Sequence, residues 1–152
     1  MAKLKILKIG DDTLRKTSRH VDAITPRIRT LIDDMIETMR AAGGVGLAAP
    51  QVGVLRRIVV IETDEDGLIE LINPKIIAYS GEQESEEGCL SVPGRWGITR
   101  RPMHITVRAT DRNGKTFDIN GSGLLAKAFC HEIDHLDGKL YTDCAIRMLD
   151  TE

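Results

Sequence analysis

The pentapeptide His131-Glu132-Ile133-Asp134-His135 lies in a stretch that opens near Ser122, stops around Gly138 and reads as a helix. Two His four residues apart project from the same side of a helix on consecutive turns, close enough to share one metal ion. Glu132, one residue on, can reach the edge of such a site without being a ligand, where a general base belongs. The chain has four His, and two of them stand in this pentapeptide. The plainer reading is a helix with two partly buried His and a solvated Glu.

Two His fall short of a catalytic centre, which takes three protein ligands and one open position. The extended metalloprotease pattern adds a Gly and then a third His downstream. Gly138 fills the first place here, but Tyr141 stands in the second. The only Glu after His135 is the terminal Glu152, so the third ligand is expected upstream. Cys89, in Glu87-Gly88-Cys89-Leu90-Ser91, is the natural candidate. A thiolate with two neutral imidazoles leaves a divalent metal with residual positive charge, enough to acidify bound water and polarise a carbonyl. Taken alone, Cys89 reads more readily as an inert buried cysteine; beside an orphan two-His motif the balance reverses.

Further upstream, Gly44-Val45-Gly46-Leu47-Ala48-Ala49-Pro50-Gln51 combines two glycines with small residues and lets another backbone approach closely. It lacks the Lys-Ser/Thr ending of a phosphate loop. The alternative is a helix cap running into a buried edge strand. Before it, Pro26 to about Ala42 is the clearest helix, with Thr25 as its N-cap and Pro26 at the first helical position. Ile28, Leu31, Ile32, Met35, Ile36 and Met39 give it one apolar face. The middle reads as β: Ile58 to Ile61, then Leu68 to Ile72 and Lys75 to Tyr79 broken by Asn73-Pro74. His104 to Thr110 and Thr116 to Ile119 flank Asp111-Arg112-Asn113-Gly114, a hairpin signal. The expected class is α+β, with antiparallel β-sheets packed around the C-terminal metal-binding helix and an N-terminal amphipathic helix.

The 152 residues suit one domain, 1–152, large enough to bury a core without disulfides. At 41% hydrophobic and 29% charged, the composition is that of a globular protein rather than a disordered or fibrous one. A net charge of −2 and 3% aromatics offer neither a basic footprint nor a stacking surface for nucleic acid, and no polybasic membrane patch. No stretch approaches a membrane span, and the start lacks a signal-peptide core. Three cysteines are an odd count, so a reducing cytoplasm is the expected compartment.

Together, GVGLAAPQ (44–51), EGCLS (87–91) and HEIDH (131–135) resemble, in the same order, the motifs of the peptide deformylase family. The resemblance covers nearly the whole chain. It implies an enzyme that removes the formyl group from the N-terminal methionine of newly made polypeptides. Cys89, His131 and His135 would hold the metal with water as the fourth ligand. Glu132 would act as general base and then acid on that water and on the leaving amine. The Gln51 side-chain amide and the Leu90 backbone N–H would meet the oxyanion. The peptide would add as a strand along Gly44–Gly46 and the chain around Gly88.

For the methionine side chain, Leu124 and Ala128 fall on the ligand stripe of the helix and could line an apolar pocket with Val45; the alternative is that Leu124 and Val45 are core. Cys130 points about 100° from that stripe and reads as a packing residue. Trp96 reads as packing rather than as a cover for the cleft. His20 and His104 lie outside the motifs and read as surface or packing residues. The resemblance further implies iron(II) as the metal in the cell, with zinc or nickel as alternatives. The expected partners are N-formylmethionyl nascent chains and, transiently, the ribosome, with no direct nucleic-acid or membrane binding. The resemblance implies that relatives with a longer C-terminal helix than this short tail use it to dock on the ribosome. Two competing classes are a metallopeptidase of another kind, which the missing downstream ligand disfavours, and a non-catalytic metal module, which would need neither Glu132 nor Gln51.

Overall fold

The structure, a computed structural model, describes residues 2–149. Met1 and the tail 150–152, with Glu152, lie outside the described residues. Helix α1 spans Pro26–Ala42, and the Thr25 hydroxyl accepts the Ile28 N–H at its start (3.3 Å). Ile32, Met35, Ile36 and Met39 are buried along one face, with Ile28 and Leu31 packed at its margin. Helix α2 spans Leu124–Leu136 and contains the HEIDH segment.

Eight strands form two antiparallel sheets among the described residues. β1 (Gly46–Ala48), β2 (Ile58–Thr63), β3 (Gly67–Ser80), β6 (His104–Thr110) and β7 (Thr116–Ser122) make a five-stranded sheet in the order β1-β2-β3-β6-β7. β4 (Gln83–Cys89), β5 (Val92–Arg101) and β8 (Arg147–Leu149) make a three-stranded sheet in the order β4-β5-β8. The larger sheet lies between the two helices. Its β2 run explains why that segment is β-branched without alternation: Ile58 and Val60 pack with α1, while Val59 and Ile61 pack with α2. A strand covered on both faces has no polar side to show.

One expectation is corrected. Asn73-Pro74 does not divide two strands; β3 passes through it with a register shift between Ile72 and Lys75 against β6. Asn73 adopts a left-handed φ of 54°, and its side chain both donates to the Val21 carbonyl (2.9 Å) and accepts the Val21 N–H (2.8 Å). The irregularity is thus pinned by the loop before α1, and Pro74, with no N–H, falls where the ladder is interrupted. The smaller sheet belongs with the expected antiparallel sheets but carries the weaker local signal. Most of it had no strand signal, because β4 reads QESEEGC, with charged residues where β-branched ones usually stand.

These elements set the site. β4 delivers Cys89 at its end, β1 runs beside α2, and α2 presents His131, Glu132 and His135 toward both.

Candidate metal centre

Cys89, His131 and His135 come together: one donor atom from each lies within 4.8 Å of the others. Cys89 Sγ is 3.4 Å from His135 Nε2 and also receives the Ser91 N–H (3.4 Å) and the Gln51 Nε2–H (3.5 Å). The two N–H donors, from Gln51 and Ser91, hold the sulfur beside the His135 ring. One sulfur and two imidazoles at this spacing fit a tetrahedral divalent cation with one position left open. His131 is oriented by its other nitrogen, since Nδ1–H donates to Glu87 Oε1 at 2.6 Å, which frees Nε2.

Glu87 is itself held tightly. Arg101 donates to both its oxygens (2.7 and 3.2 Å), and the Thr99 hydroxyl adds a third bond (2.5 Å). Burial pushes its carboxyl up, but hydrogen bonds from His131 and Arg101 outweigh that and hold it at about 2. Arg101 continues to Asp134 on α2 (2.9 Å), so a buried chain of charge fixes β4, β5 and α2 behind the ligands. Tyr141 stacks on the His131 ring, with centroids 6.0 Å apart.

Glu132 is buried, with Oε2 at 3.9 Å from His131 Nε2 and Oε1 without a hydrogen-bond partner among the described residues. An orphaned buried carboxylate oxygen is costly and calls for a polar ligand. Burial raises its carboxyl to about 7, in the range of a proton-transfer group. Gly46 makes this approach sterically feasible: a Cβ there would stand 2.6 Å from Glu132 Oε2. Gln51 is buried too, with Oε1 accepting the Ala48 N–H (2.9 Å) and Nε2 donating to the Ser91 hydroxyl (3.1 Å). Burial pushes the His135 imidazolium down, favouring the neutral ring.

A cleft of about 630 Å³ opens onto this cluster. Gly44, Val45, Gly46, Gly88, Leu124 and Ala128 all line it, as do Gln51, Cys89, Leu90, His131 and Glu132. Val45 and Leu124 are 38% and 51% exposed, which excludes the reading of these two as core. Ala128 is buried in the main core at the cleft floor. Lys127 lies at the rim and donates to Ser85 Oγ (3.2 Å) and the Glu86 carbonyl (2.9 Å). Cys130 is a core residue, and His20 and His104 are exposed.

Trp96 departs from expectation: it is 49% exposed and forms part of the cleft wall. Sequence reasoning also missed Thr99 and Arg101, which carry no local motif. Glu87 stood inside the EGCLS segment, and its place two residues before Cys89 was the available signal.

Known proteins resemble this chain over nearly its whole length. The polypeptide deformylase family model matches residues 3–150. The peptide deformylase of Lachnoclostridium phytofermentans is 59% identical over 145 residues, covering 94% of this chain and 89% of that protein. That of Acetivibrio thermocellus is 57% identical over 152 residues, covering 100% of this chain and 89% of that protein. The crystal structure of a peptide deformylase from Legionella pneumophila superposes with a TM-score of 0.91 at 49% identity, covering 94% of this chain and 86% of that one. The chain belongs to the polypeptide deformylase family.

Proposed function

We propose that residues 1–152 act as one catalytic domain that removes the formyl group from N-formylmethionine at the start of newly made polypeptides. Cys89, His131 and His135 hold one divalent metal. The observation that carries the reading is the convergence of these three donors beside a buried, half-orphaned Glu132 at the floor of an apolar-walled cleft. Iron(II) is the metal in the cell, and zinc or nickel suit the same donors. When bound, the metal supplies a Lewis acid that polarises the formyl carbonyl and acidifies water.

Glu132 takes a proton from the attacking water and passes it to the leaving amine. Its burial, which raises the carboxyl to about 7, lets it serve in both directions near neutral pH. Gln51 Nε2 and the Leu90 N–H meet the oxyanion, and the Ala48 N–H bond to Gln51 Oε1 fixes which end of that amide faces the cleft. The peptide adds as a strand along Gly44–Gly46 and Gly88, and the methionine side chain enters between Val45, Leu124 and Ala128. The formyl carbon bears only hydrogen, so a tight site excludes bulkier acyl groups. The working compartment is the cytoplasm, where nascent chains, with a transient ribosome contact, are the partners. Nucleic acid and membrane are not. No described helix is long and apolar enough to cross a membrane.

Anaerobically prepared iron or nickel protein, given a formyl-Met peptide and its unformylated counterpart, tests this. Formate release from the first alone, lost in Glu132→Ala while the metal stays bound, is the expected result. Internal cleavage of either peptide would make the protein a peptidase. No reaction with four protein ligands on the metal would make it a structural module.

A further inference from the structure

The ring of Trp96 rests directly on the backbone of Gly88. A Cβ on Gly88 would stand 2.6 to 3.0 Å from Cζ3, Cε3 and Cη2 of the indole, so only glycine permits this seat. Trp96 is held from both edges, since β5 pairs with β4 on one side and Trp96 itself faces Leu149 of β8 on the other. Even so, the residue remains half exposed and lines the cleft. A large aromatic on a rigid backbone, left open beside a peptide site, offers contact area at small entropic cost.

The two faces of β4 differ at this point. Glu87 turns toward His131 and Arg101, on the α2 side of the cleft where Ala128 lies. Gly88 turns its missing side chain toward Trp96. A strand added at this edge alternates its side chains in the same way, and cross-strand neighbours share a face. A first residue whose side chain enters the α2 side therefore sends the next side chain to the Trp96 side.

We propose that the exposed face of Trp96 receives the side chain of the second residue of the formylated chain and favours a large apolar or aromatic group there. The inference rests on the formylmethionine reading of the same cleft and adds a specificity residue to it.

Formyl-Met-Phe-Ser and formyl-Met-Ala-Ser differ only at that second residue. With the metal-loaded full chain, kcat/KM for the first is expected to exceed that for the second by about three- to tenfold, the scale of an aromatic contact. Trp96→Ala brings the ratio near one, while Trp96→Phe retains most of it. An unchanged ratio in Trp96→Ala, or no preference in the parent protein, overturns the inference. Trp96 is the sole tryptophan, so its emission gives a readout that needs no turnover. In Glu132→Ala protein, the Phe peptide is expected to shift that emission at lower concentration than the Ala peptide; coincident curves count against the proposal. A protein that releases no formate from either peptide sinks the formylmethionine reading instead, and the emission curves still decide the role of Trp96.

Discussion

Glu87 and His131 are joined by a 2.6 Å hydrogen bond from the ring Nδ1–H to the carboxylate, buried between β4 and α2. The bond fixes the tautomer of one proposed ligand. Arg101, on the far side of the carboxylate, keeps it ionised. One polar chain therefore serves both the site and the packing of the smaller sheet on α2.

Replacing Glu87 separates these two effects. Glu87→Gln is expected to weaken metal binding about 10- to 100-fold, the usual loss when a partner behind a ligand is removed. It also leaves Arg101 buried with only Asp134 as counter-charge, at a cost of about 3 kcal/mol. Chelator competition reads the first effect and urea unfolding of metal-free protein the second. Wild-type metal affinity in the variant would remove Glu87 from the ligand-orienting role.

Gly46→Ala should act on Glu132 rather than on the ligands. The added methyl would stand 2.6 Å from Glu132 Oε2, so the carboxylate must swing aside. We expect kcat to fall about 10- to 100-fold, since a displacement near 1 Å at the reacting centre has that consequence. Metal content should stay at the parental level. A variant with normal kcat would show that the position of Glu132 is not limiting.

Metal-free protein should have a stability maximum in mildly acidic solution, because two carboxyls pull in opposite directions. Glu87 sits at about 2 in the fold, below its ordinary value of 4.5. Its contribution is present above that ordinary value and is lost as the pH falls toward 2. Glu132 is raised from 4.5 to about 7, so its contribution is present below 4.5 and is lost as the pH rises through 7. At pH 8, Glu132→Gln is expected to stabilise metal-free protein by on the order of 3 kcal/mol. Urea titrations at pH 5 and pH 8 measure it, and an equal effect at both would contradict the buried-carboxyl explanation.

Stripping the metal should lower Tm, because a ligand that binds only the folded chain stabilises it by mass action. The shift should vanish in Cys89→Ala, which removes the donor from β4 and leaves two imidazoles on one helix. Calorimetry with and without added nickel makes the comparison. A full nickel-dependent rise in Cys89→Ala would mean that some other group completes the coordination.

Much of the fold was legible because its signals are local. Thr25-Pro26 and the apolar spacing of 28–39 define α1 within the reach of one helix, and the Asn113-Gly114 turn defines the β6–β7 hairpin. The His131–His135 spacing needs only helical geometry to bring two rings to one side. The charged β4 and the bulge at Asn73 were not legible. Each depends on a partner far along the chain: β5 and α2 for Glu87, and the Val21 backbone for Asn73.

The sequence by itself therefore determined the helices and the hairpin and singled out Cys89, His131, Glu132 and His135 as candidates, because periodicity and side-chain chemistry act over a few residues. Tertiary structure alone decided that Arg101 and Thr99 stand behind Glu87, that Gly46 clears space for Glu132, and that Trp96 faces the cleft instead of the core. Those relations span gaps of up to 86 positions in the chain, and only the packing of two sheets against α2 brings the partners within a few ångströms.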